Sequence, residues 1–183
     1  GPYALTINAA GFRPYTQTGI TVVANNVTRI DAALALGQAA DSVTVAAEVS
    51  TLQADRADVR TDISGQALRN LPVPLGRNYQ MLLPMIVPGV STPSSGGSFA
   101  ANPSRAVSIG FNGASGWGNN TRIDGTSASN FNGTYPMFTP ALEAIETVSV
   151  VTNSFDAEQG MASAAAIHIV TKSGANRMHG SLF

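Results

Sequence analysis

The sequence predicts an α+β fold, on three observations. Residues 146–152 (ETVSVVT) and 165–171 (AAIHIVT) alternate polar and apolar side chains, the period-2 pattern of half-buried strands. Short stretches at 63–71 and 140–145 carry helix caps and prolines at their ends. The first forty residues contain strand-like runs and no helical period. The expected organisation is a small all-β part (1–40), a strand-like linker (41–50) and a mixed α+β part (51–183).

In chain order, residues 3–10 alternate with Tyr3, Leu5, Ile7 and Ala9 on one face, and Gly11 ends the run. Residues 20–24 (ITVVA) form the second expected strand, and Asn25-Asn26 supplies a turn because Asn tolerates left-handed backbone. Residues 27–36 read as a third strand whose apolar positions leave its orientation open. Residues 41–48 (DSVTVAAE) are a short, isolated strand-like run with Val43 and Val45 on one face.

Residues 49–62 interleave Asp55, Arg56, Asp58, Arg60 and Asp62, which reads as a solvated connector. A short helix follows over 63–71, capped by Asp62 or Ser64 and ended by Pro72. Four prolines between 71 and 90 forbid a long helix there, and leave room for a turn or two near 78–83. Residues 91–104 form a low-complexity loop. Short strands are expected at 107–111 and 121–124, around a Gly/Asn-rich turn, with Asp124-Gly125 as the next turn. Residues 127–139 form a second loop, presenting Phe131, Tyr135 and Phe138. Thr139 caps a helix that has Pro140 at its first position. The expected core sheet joins 107–111, 121–124, 146–152 and 166–171, covered by the two helices.

At 183 residues the chain can bury one good core, or a small and a medium one. Charged residues make up 11%, under half of the usual share of about 25%, so Ser, Thr, Asn, Gln and Gly must cover the surface. Such surfaces suit envelope proteins and packed assemblies. A net charge of −1 gives no reason to expect a nucleic-acid partner. Without cysteine there are neither disulfides nor thiolate metal sites.

Catalytic and cofactor chemistry is not signalled, and no cofactor is expected. His168 and His179 lie on expected strands without a second histidine at metal spacing, and read as structural. Asp124 reads as a turn former, there is no G-x-S-x-G elbow, and no phosphate-binding glycine loop is present. Trp117, set between glycines, reads either as a contact residue or as local packing.

These residues also carry a resemblance. The pattern AIE-x-V-x-V-x-TN-x-F-x-AE-x-G, then I-x-I-VTKSG and HGSLF, is similar to the end of the plug domain of TonB-dependent outer-membrane transporters. The motifs at Leu71-Pro72, Gly76-Arg77-Asn78, Pro88-Gly89-Val90 and Asp124-Gly125 resemble the same plug. Residues 3–36 resemble the last strands of the carboxypeptidase-regulatory-like sandwich that precedes the plug in large members. The chain departs from the family at 163–168, where small residues and His168 replace the usual Gly-Gly and Asn.

The resemblance implies partial sandwich strands followed by a plug-like mixed domain, in a piece of a longer protein that stops at the first barrel strand. It implies a non-enzymatic gate in the bacterial outer membrane, facing the periplasm. Asp41, Ser42, Val43, Thr44, Val45, Ala46 and Ala47 resemble the TonB box, an extended peptide that adds a strand to a TonB-like periplasmic protein. An ordinary edge or linker strand explains the same residues. Arg77, Arg105 and Arg122 become candidates for ion pairs with the surrounding β-barrel, and Trp117 for a barrel or neighbour contact. The alternative is an extracellular fibre, in which identical copies exchange end strands in a homopolymer.

Overall fold

The computed structural model describes residues 2–22, 28–37, 43–46, 57–72, 77–91, 106–129, 136–153, 157–174, 176 and 180. It is a mixed α+β fold with two sheets. The chain divides into two units, Gly1–Arg56 and Ala57–Phe183.

The first unit is a three-stranded sheet in the order β1-β2-β3. Strand β1 (Pro2–Ile7) pairs antiparallel with β2 (Tyr15–Thr21), and β2 pairs parallel with β3 (Val43–Ala46). Threonines face one another across β1 and β2, with Thr6 opposite Thr16. Gln17 and Ile20 on β2 are buried, and the Tyr15 hydroxyl donates to Gln17 Oε1 at 3.0 Å.

Two expectations are corrected here. The second strand begins at Tyr15, ahead of the expected 20–24, because its first half is Thr- and Gln-rich and hides the alternation. Residues 28–35 join no ladder. They still alternate half-buried (Thr28, Ile30, Ala32, Leu34) with exposed side chains. The segment is tied down by single contacts: Arg13 N–H donates to Ala35 O, and Phe12 bridges Leu36.

The second unit is built on a five-stranded sheet in the order β4-β7-β8-β5-β6. These strands are β4 (Val59–Ser64), β5 (Asn119–Ile123), β6 (Thr126–Ser127), β7 (Ile145–Asn153) and β8 (Ala165–Thr171). All pairs are antiparallel except β5 with β8. The register places Val148 opposite Ile169 and Val150 opposite Ile167, all buried on the core side. Helix α1 (Gly65–Asn70) follows β4 directly, capped by Ser64, whose Oγ accepts from Ala67 N–H at 3.1 Å. Helix α2 (Leu83–Ile86) has proline in its first turn and follows a single 3-10 turn at Tyr79–Met81. Leu68, Tyr79, Leu82, Leu83, Phe111, Leu142 and Ile145 fill the core.

Three expectations change in this unit. Residues 59–64 form an edge strand where a solvated connector and a helix start were expected. Ile63 is the one buried apolar residue on this strand, so no alternation can be read, and the Arg60 side chain is buried in an ion pair with Asp58 at 3.3 Å. Residues 107–111 form no strand, and their one bridge is the antiparallel contact of Phe111 with Val90. The Gln80 side chain takes the place of a neighbouring strand, accepting from Val107 N–H at 2.8 Å and donating to Val107 O at 3.2 Å. Asn119 Nδ2 serves Ile109 O in the same way at 2.6 Å. The expected helix at 140–145 shrinks to a 3-10 turn at Leu142–Ala144, with extended Ala141 and not Thr139 at the cap position. Lys172 N–H donates to Ala144 O at 2.8 Å, so that carbonyl serves the neighbouring strand end and not a further helical turn.

Helix α1 sits so close to β7 that a Cβ at Gly65 would collide with the Ile145 carbonyl oxygen. Gly65→Ala is expected to destabilise the second unit by about 1–3 kcal/mol, read as a lower midpoint in urea unfolding. An unchanged midpoint would show that α1 does not depend on this close approach.

Candidate functional site

The first candidate surface is β3. Val43, Thr44, Val45 and Ala46 are an edge strand, seated in register on Tyr15, Thr16, Gln17 and Thr18 of β2. Asp41, Ser42 and Ala47 lie outside the described residues.

The second is a polar row that crosses the whole sheet of the second unit. Register pairs link Asp62 to Ser149, Ser149 to His168, His168 to Arg122 and Arg122 to Ser127. Ser149 and His168 are buried and Arg122 is half-buried. Ser149 Oγ donates to Asp62 Oδ1. The serine proton is thereby committed to a carboxylate, whereas nucleophilic chemistry would direct it to the histidine. Beside this row Asn120 Nδ2 donates to Gln159 O at 3.0 Å. The strands made the parts of the row readable, since Ser149 and His168 each hold a polar position of the alternation, between Val148 and Val150 and between Ile167 and Ile169. Their alignment depends on inter-strand register, which the sequence does not display.

Arg77 and Trp117 are placed separately from this row. Arg77 has left-handed backbone (φ 47°) and forms an ion pair with Glu143, 66 residues away. Lys172 Nζ adds a bond to the Glu143 carbonyl oxygen at 2.6 Å. Arg77, Glu143 and Lys172 thus join the turn before the 3-10 helix to both central strands. Glu143 and Lys172 had no individual signal in the sequence.

Trp117 is 59% exposed on a 3-10 turn, Gly116–Gly118. A Cβ at Gly116 would strike Ser108 and Ile109, and one at Gly118 would strike Ser163 and Ala164. Gly118 O accepts from both Ser163 N–H and Ala164 N–H. The backbone of the turn is clamped between two segments, and the indole projects outward. In the 127–139 loop, Met137 and Phe138 are exposed by 68% and 51%, while Phe131 and Tyr135 lie outside the described residues. Also outside them are Arg105, His179 and all of the 91–104 loop except Ser91.

Asp124 closes the β5–β6 turn in left-handed backbone (φ 50°). It accepts from Thr171 N–H at 2.8 Å and from Thr171 Oγ1 at 2.7 Å, and its own N–H donates to Ile169 O. Tyr79 is fully buried, and burial drives its hydroxyl pKa up, keeping it neutral. Among the described residues there is no cluster of three or more His, Asp or Glu that could hold a metal, and no helix long and apolar enough to cross a membrane.

No family model matches the sequence. The chain is similar to the TonB-dependent transporter Oar of Myxococcus xanthus, with 25% identity over 195 aligned residues. The alignment takes in all of this chain and 17% of the transporter's length. The chain is related to a TonB-dependent transporter.

The bonds from Thr171, the backbone one first, hold the Asp124 carboxyl below its ordinary value of 3.8. A depressed folded-state pKa contributes stability that is present above the unfolded value and is lost as pH falls through the folded one. In an NMR titration Asp124 should titrate below 3.8. Thr171→Val, which keeps the backbone donor but removes the hydroxyl, should move it part-way back. Titration at the ordinary value in both proteins would show that the turn is not held by this contact.

Proposed function

We propose that this chain is the gating plug segment of an outer-membrane TonB-dependent transporter. The observation that carries the reading is the similarity to such a transporter along the whole chain. The second unit is the plug, which sits on the periplasmic side and blocks a β-barrel. The loops at 91–104 and 127–139 face the incoming ligand. Residues 1–40 are the last strands of a carboxypeptidase-regulatory-like sandwich. Residues 41–47 are taken up by a TonB-like periplasmic protein through strand addition, and pulling on them displaces the plug. The activity is binding and gating, with no bond made or broken.

The structure is physically suited to this role. A plug must be held in a wet lumen by contacts that can be exchanged, and half-exposed polar groups serve that purpose at modest energetic cost. Arg122 and the outward Trp117 are the residues proposed to meet the barrel. Arg77 has an internal partner in Glu143, so any barrel contact it makes is shared with that carboxylate. Strand addition needs an available edge, and β3 is an edge strand.

Among the described residues β1 and β3 are the edge strands of their sheet, which also favours a second reading, strand exchange between copies in a homopolymer.

Replacing Val45 with proline removes one backbone donor from β3. Binding of a TonB periplasmic domain from the same organism should then weaken by on the order of tenfold or more, measured by calorimetry. Unchanged binding would remove 41–47 from the mechanism. Long polymers of the unmodified chain on a sizing column, without affinity for the TonB domain, would favour the homopolymer.

A further inference from the structure

The reading of residues 41–47 as the partner's strand leaves open how that strand is offered. Val43–Ala46 is seated in parallel on Tyr15–Thr18, and β2 is itself paired on its far side with β1. The N–H and C=O groups of a strand point alternately to its two edges, so pairing with β2 occupies one edge of β3 only. Among the described residues, the outer edge is the last in the sheet order.

We propose that the partner binds this outer edge while β3 remains on β2, so that its strand becomes the fourth in the order β1-β2-β3-partner. The inference rests on the assignment of 41–47 to a TonB-like partner and adds the surface on which that partner docks. Three consequences follow from the geometry. The strand is already extended when the partner arrives, so little further ordering is needed on binding. The register is set by β2, since the Cα partners Thr16 and Thr44 fix which backbone groups of β3 point outward. A pull on the partner is then shared between β3 and the antiparallel β1–β2 pair, and does not fall on a loose peptide.

The opposite arrangement is a strand stored on β2 that must leave it before the partner can pair. A cross-link separates the two. The chain has no cysteine, so Thr16→Cys with Thr44→Cys places one thiol pair at facing register positions and nowhere else. Oxidation locks β3 onto β2, and the reduced form of the same protein is the control. With the full chain and a TonB periplasmic domain from the same organism, the oxidised form should bind at least as tightly as the reduced form, and up to about tenfold tighter. Loss of binding on oxidation, restored by reductant, would overturn the docking proposal and leave the assignment of 41–47 standing. No binding by the oxidised, reduced or unmodified chain would overturn both.

Amide exchange on the unmodified chain gives a second readout that needs no disulfide. On complex formation, protection should rise at 43–46 and be retained at 15–18. Faster exchange at 15–18 would mean that β3 had left its seat, and would overturn the proposal.

Discussion

The antiparallel ladder between β7 and β8 is the constraint on which the second unit depends. It aligns Val148 with Ile169 and Val150 with Ile167. Each such side chain, fully buried, contributes about 1.5–3 kcal/mol, and no other pair of strands in this unit supplies as many. The ladder also sets everything attached to it. Strand β4 pairs with its β7 side, β5 pairs with its β8 side, and α1 packs where β7 begins. The polar row from Asp62 to Ser127 exists because this register brings Ser149 and His168 side by side.

The elements that could be read from the sequence are those whose pattern is internal to them. Strands β7 and β8 alternate by themselves, and Ser64 with Gly65 to Asn70 carries its own cap. The elements that could not be read borrow their partners from elsewhere. Strand β4 has one buried apolar residue and is a strand only because β7 offers an edge. Residues 107–111 have the alternation of a strand and lack its ladder, because Gln80 and Asn119 supply side-chain amides instead. The helix expected after Thr139 gives way because Ala144 O is bonded by Lys172 N–H.

The candidate site shows the same division. The strand character of 43–46 was legible, and its seat on β2 was not, because a parallel pairing between residues 28 positions apart leaves no local trace. Arg77 drew attention through its motif with Gly76 and Asn78. Its partner Glu143 lies beyond any local window, and the left-handed backbone at Arg77 is visible only in the folded chain. Trp117 was conspicuous between two glycines, and the structure supplies the reason for both: each lies against another segment where a side chain would not fit. The functional reading joins a whole-chain similarity to a transporter with an available strand edge, so the spine and the edge have different duties. On the proposed function, one stays folded and the other takes a partner.

Native-state hydrogen exchange tests the spine most directly. The slowest amides of the second unit should be those of 148–150 and 166–169, with the β4 amides at 59–64 exchanging earlier through local opening. If β4 outlasted β7 and β8, or if the amides of β7 and β8 exchanged as fast as those of exposed turns, the central ladder would not be what holds this unit together.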